Sequence, residues 1–134
     1  MSRATHEEPL LAAASRLRLV LPCRAPDEIR ACEHLAFAFA RDAGLRGVDV
    51  WYVAACASEL ANHALENGGG ELELSVDAAP RAALVLRLRH AVPVLAATPI
   101  ALHAARSYVS ELSIEWRPQR GTVITARQWL HGRP

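Results

Sequence analysis

Glu59, Asn62, His63 and Glu66 fall at i, i+3, i+4 and i+7, so a helix through them lines all four along one face. The same stretch is apolar on nearly every other side, through Val50, Trp51, Val53, Ala54, Ala57, Leu60, Ala61 and Leu65. A mostly buried helix with one polar stripe normally lines something. A further imidazole, His90, closes an alternating run in which Leu84, Leu86 and Leu88 share its parity and Arg87 and Arg89 take the other. That parity turns His90 toward the interior. One carboxylate and two imidazoles, Glu59, His63 and His90, form a donor set able to hold Zn²⁺ or a similar ion with one position open. The plainer alternative is that the two histidines fill a pocket with their hydrogen bonds satisfied. Asn62 reads most simply as a polar group on the helix face.

Cys23, Cys32 and Cys56 are odd in number and far apart in the chain, with no CxxC pair. They argue for small buried thiols and against a disulfide framework or a structural zinc knuckle. The chain has 134 residues, 51% of them hydrophobic, which suits one domain with one core. The formal net charge is +1, and every cation is Arg because the sequence contains no Lys. The arginines are scattered along the chain rather than gathered in a stripe, giving little electrostatic drive toward nucleic acid. No secretory signal is visible: Glu7 and Glu8 precede a short apolar run that ends at Ser15 and Arg16. The longest apolar stretch, 91–105, is too short to span a bilayer and is broken by Pro93 and Pro99. These features predict a cytoplasmic protein with no membrane segment.

The elements that must position the stripe follow from periodicity. Residues 1–14 read as a flexible tail and 15–134 as the folded domain. A first strand over 16–21 puts Leu17, Leu19 and Leu21 on one face and Arg16 and Arg18 on the other, and Pro22 is expected to stop it. Asp27 and Glu28 after Pro26 open a helix with Ile29, Cys32, Leu35, Ala36, Phe39 and Ala43 at helical spacing, ended by Gly44. The striped helix runs from about Val48 to Asn67 and stops at three glycines. Strands over 71–77 and 83–90 flank a turn at Ala79-Pro80-Arg81, a short helix covers about 100–109, and a last hairpin pairs 111–116 with 122–130. The order β-α-α-β-β-α-β-β predicts an α+β fold: a two-layer sandwich of a mostly antiparallel sheet covered on one face by helices.

Residues 55–68, ACASELANHALENG, resemble the N-box helix of the GHKL superfamily, which groups gyrase, heat-shock chaperone, histidine kinase and mismatch-repair ATPases. Residues 111–130, ELSIEWRPQRGTVITARQWL, look like the last hairpin of one branch, the anti-sigma-factor serine/threonine kinases that phosphorylate STAS-domain partners. The resemblance covers about 16–130, with the same order of elements, and implies the Bergerat-type, histidine-kinase-like ATPase fold. In that family a Glu of the N-box is the general base, and an Asn four residues on helps hold Mg²⁺. An Asp at a strand end reads adenine, glycines after it let the backbone approach the base, and a mobile lid wraps the triphosphate.

Glu59 matches the base. His63 stands where the Mg²⁺-holding Asn belongs, with Asn62 adjacent, and His90 stands where the adenine-reading Asp belongs. Val92 and Val94 replace the two glycines, Pro99 and Ala101 fall where the lid glycines belong, and only 95–98 remain for the lid. β-Branched residues resist close backbone approach, and a shortened lid removes the phosphate cradle. The resemblance therefore implies a degenerate nucleotide pocket at Glu59, Asn62, His63 and His90, with no ATP, Mg²⁺ or other metal expected. The expected function is an anti-sigma or stressosome-type regulator that binds a STAS-domain (anti-anti-sigma) protein or a sigma factor. Three alternatives stay open: an active ATP- and Mg²⁺-dependent serine/threonine kinase using Glu59, a small-ligand or metal sensor, and a shared fold without shared function. A homodimer is also left open. Trp51, Trp116 and Trp129 are expected mainly in the core or on a sheet face.

Overall fold

A computed structural model describes residues 18–93 and 100–130. The tail 1–14, Val94, Pro99 and the short lid segment 95–98 lie outside the described residues. In chain order the elements are β1 (Arg18–Cys23), α1 (Pro26–Asp42), α2 (Val48–Glu66), β2 (Gly70–Asp77), β3 (Ala83–His90), α3 (Ile100–Ser107), β4 (Glu111–Arg117) and β5 (Gly121–Trp129). The five strands form one sheet in the order β1-β2-β3-β5-β4, with every neighbouring pair antiparallel. Helices cover one face, so the α+β two-layer sandwich is the architecture observed.

Local chemistry sets the helix ends. Pro26 occupies the first turn of α1, where its missing N–H costs nothing, and Asp27 and Glu28 place negative charge at the positive end of the helix dipole. The Arg24 backbone N–H donates to Glu28 Oε1 at 2.8 Å, satisfying a donor ahead of the first turn. At the far end of α2 the Gly69 N–H donates to the Ala64 carbonyl at 2.7 Å and the Gly68 N–H to the Leu65 carbonyl at 3.3 Å. This double closure needs a left-handed residue at Gly68, whose φ is +88°.

Helix α2 is central: it packs against α1 on one side and α3 on the other, and lies across β1, β2 and β3. The core sits beneath it. Leu72 and Leu74 of β2, Leu84, Leu86 and Leu88 of β3 and Ile124 of β5 meet Val53, Leu60, Ala61 and Ala64 of α2, all fully buried. Cys23, Cys32 and Cys56 are buried free thiols, as expected. Cys23 and Cys32, nine residues apart in the chain, nevertheless bring their Sγ atoms to 3.6 Å.

Three expectations are corrected. Pro22 does not stop β1; the strand continues to Cys23, with Pro22 opposite Glu71. β1 is an edge strand, where a residue lacking an N–H interrupts no ladder bond that the sheet needs. Trp51 is neither a core nor a sheet-face residue: it stands on α2, 63% exposed, whereas Trp116, 43% exposed, lies on a sheet face in β4. Trp129 does lie on a sheet face, half-buried, with the Arg81 guanidinium 4.4 Å from its ring centre. The striped helix is also less closed than its composition implies, because Trp51, Tyr52 and Glu66 face outward.

Candidate functional site

The polar row of the sheet's helix-facing side runs Cys23, Gly70, His90, Thr122, Trp116, one residue from each strand. His90 sits at its centre, at the last residue of β3. Its neighbours across the sheet explain how an imidazole fits there. A Cβ at Gly70 would collide with the Arg89 carbonyl oxygen and press on Ala64 and the His90 side chain. A Cβ at Gly121 would collide with the His90 carbonyl oxygen. Both glycines are therefore required for close approach: Gly70 lets α2 settle onto this end of the sheet, and Gly121 lets β5 pass the end of β3. Thr122, fully buried, donates from Oγ1 to the Val92 carbonyl at 2.8 Å and pins the chain leaving β3.

His63 reaches this row from α2. Its Nε2 lies 2.9 Å from His90 Nε2, and the two rings meet edge to face; the residues are only 2% and 4% exposed. Asn67, one turn on, donates from Nδ2 to the His63 carbonyl at 2.8 Å and also lies 3.5 Å from His63 Nδ1. The carbonyl bond fixes which end of the amide is the donor, so His63 Nδ1 takes the accepting role. One tautomer pair is consistent with this network: His63 protonated on Nε2 and donating to His90 Nε2, with the His90 proton on Nδ1. That Nδ1 is buried without a hydrogen-bond partner among the described residues.

Both imidazoles are held below their ordinary pKa. Burial is the main cause for His63, with the Glu66 carboxylate acting weakly the other way. For His90 burial comes first, then repulsion by His63, and the Val92 carbonyl offsets part of it. A pair of neutral imidazoles sharing one proton can relay that proton or fill space. It offers no fixed positive charge to a phosphate and no carboxylate to an adenine amino group.

His63 and His90 thus come together, with His90 turned inward as its parity required, but Glu59 and Asn62 do not join them. Both are half-buried on α2, and their side chains make no hydrogen bond among the described residues. Among the described residues no three His, Cys, Asp or Glu side chains gather as a metal-holding group, so the alternative in which Glu59 converges with the two histidines finds no support. Glu59 lies one turn before His63 and Asn67 one turn after it, and of the two only Asn67 bonds to His63. Asn67 is the member that sequence reading missed. Its spacing of four from His63, at the C-cap of α2, is the signal that would have found it.

A second feature lies on the outside of the helical layer. Trp51 at the start of α2 packs edge to face on Phe37 of α1, centres 4.6 Å apart, and Tyr52 meets Tyr108 at 5.7 Å. With Val48 and Leu35, 54% and 41% exposed, these rings form an apolar, aromatic surface.

No family model and no curated protein matches this chain. Among solved structures, the crystal structure of the SiaB–SiaC complex from Pseudomonas aeruginosa contains a chain with the same fold. The TM-score is 0.56 at 11% sequence identity, over 96% of this chain and 98% of that one. At that identity the likeness establishes a shared α+β architecture. Among the described residues no helix is long and apolar enough to cross a membrane.

Proposed function

We propose that this chain is a regulator that works by binding another protein, without ATP, on a degenerate GHKL-type scaffold. The observation that carries the reading is the 2.9 Å contact between His63 and His90. In the resembled family these two positions would hold Mg²⁺ and adenine. Here they bond to each other and are almost completely buried, which supports a pocket that no longer admits a nucleotide base and its metal. The α+β fold holds across the described residues, and a chain of like fold is found in a complex with a partner protein. The exposed Trp51 and its aromatic neighbours supply an apolar surface of the kind that anchors partners. Within the resembled branch the partner is a STAS-domain protein or a sigma factor.

The test is a titration of a fluorescent ATP analogue with Mg²⁺. No saturable signal is expected up to about 200 µM, the concentration at which binding of about 5 kcal/mol shows. Capture of a STAS or sigma-factor protein is expected to be unchanged when ATP is removed with apyrase. A saturable ATP curve, or phosphoserine appearing on a co-incubated STAS protein, establishes instead the active-kinase reading with Glu59 as base.

A further inference from the structure

The uncovered face of the sheet carries charge that the linear sequence disperses. Register places Arg87 and Arg89 of β3 beside Thr125 and Val123 of β5, and Arg127 of β5 beside Glu111 of β4. Arg117 ends β4, and Arg120 stands in the β4–β5 turn. Together these five arginines line a shallow depression of about 530 Å³ that contains a single carboxylate, Glu115.

The charges are not equally engaged. Glu73 of β2, only 7% exposed although it lies on this open face, binds Arg18 at 2.6 Å, Arg87 at 3.2 Å and Arg89 at 3.8 Å. It neutralises one flank and fixes its arginines in place. Arg117 reaches only Glu115, at 3.4 Å, with both side chains about 60% exposed, where an ion pair is weak. Arg120 and Arg127 form no ion pair among the described residues. The excess positive charge is thus concentrated over β5 and β4.

We infer that this depression is a docking site for an acidic protein segment, with Arg117, Arg120 and Arg127 receiving its carboxylates. Guanidinium forks match carboxylates bidentately, and their fixed charge survives at any physiological pH. The depression spans the three strands β3, β5 and β4, about 10 Å across, which matches a segment of three or four residues. It is too open to enclose a small anion. One observation disfavours a nucleic acid. Among the described residues, no aromatic ring lines the depression for base stacking, and Trp129, farther along the same face, is covered by Arg81. The inference stands on this charge geometry alone and does not require the chain to be a regulator.

The probe is a fluorescein-labelled octaglutamate peptide, followed by anisotropy with the full chain at ~20 mM and ~200 mM NaCl. Saturable binding that weakens with salt is expected. The variant Arg120→Glu/Arg127→Glu should weaken it by at least about tenfold. Arg30→Glu/Arg46→Glu changes net charge equally at exposed positions on and just after α1, and should change binding less than about threefold. Thermal midpoints within about 2 °C of the parent verify folding, and Arg120→Gln/Arg127→Gln serves if the reversal does not fold. Equal weakening by both reversals, or no binding by the parent chain, overturns the site. Tighter binding of a single-stranded oligonucleotide, lost in the same variant, overturns the choice of partner.

Discussion

His63 and His90 share one proton between two buried Nε2 atoms, and their chemistry is governed by what that burial forbids. Charging either ring would place a cation beside its neighbour in a site nearly closed to water. A folded-state pKa below the unfolded one means that the unfolded chain binds more protons in acid. Stability from this pair is therefore complete above about pH 6.5, the ordinary imidazole value, and is lost as pH falls below it. The midpoint of urea unfolding should fall between pH 7.5 and pH 5. His63→Leu/His90→Leu should remove most of that fall, because the other described histidines, His34 and His103, are exposed. An equal fall in both proteins would show that the pair does not control acid stability. Cysteine chemistry follows the same logic: burial, with the nearby Glu59 carboxylate, pushes the Cys56 thiol up to about 12, so it is inert at neutral pH.

At the scale of elements, α2 and the ends of β2, β3 and β5 act as one unit whose spacing is set by two glycines. Gly70→Ala has no room: its methyl would meet the Arg89 carbonyl oxygen and the Ala64 side chain. We expect a loss of about 2 kcal/mol or more in denaturant titration, together with disturbance of the His63 and His90 imidazole resonances. On the opposite side of the sheet, Glu73 ties β1, β2 and β3 together through three arginines. Glu73→Gln keeps the shape but removes the charge that holds them, leaving three guanidinium groups in mutual repulsion. Because the arginines are partly exposed, the expected cost is about 1–3 kcal/mol by urea unfolding, and it should shrink in high salt. A cost that does not change with salt would point to shape, not charge.

The whole molecule presents two unlike surfaces back to back: aromatic over the helices and cationic over the bare sheet. A large exposed indole can be removed without opening the core, so Trp51→Ala should change stability by less than about 1 kcal/mol. If the aromatic surface is where a partner seats, the same change should weaken capture of that partner by about 2 kcal/mol, roughly thirtyfold. Unaltered capture by a folded Trp51→Ala chain would move the partner to another surface, and the arginine variants then test the sheet.

Sequence alone determined the order and type of the elements, because periods of 2.0 and 3.6 are local properties of backbone geometry. The inward turn of His90 was legible for the same reason: parity along one strand needs no knowledge of the neighbouring strands. Pro22 showed the limit of local reading, since its tolerance depends on β1 being an edge strand. Only the tertiary structure decided which polar groups meet. Glu59, His63 and His90 look equally available in the chain, yet the imidazoles bond to each other and Asn67, not Glu59, bonds to His63. Cys23 and Cys32, and the arginines of β3, β4 and β5, likewise read as dispersed until the strands are paired. Contacts between elements depend on register and helix placement, which are fixed by the sum of weak contacts across the core and leave no mark at any single position in the chain.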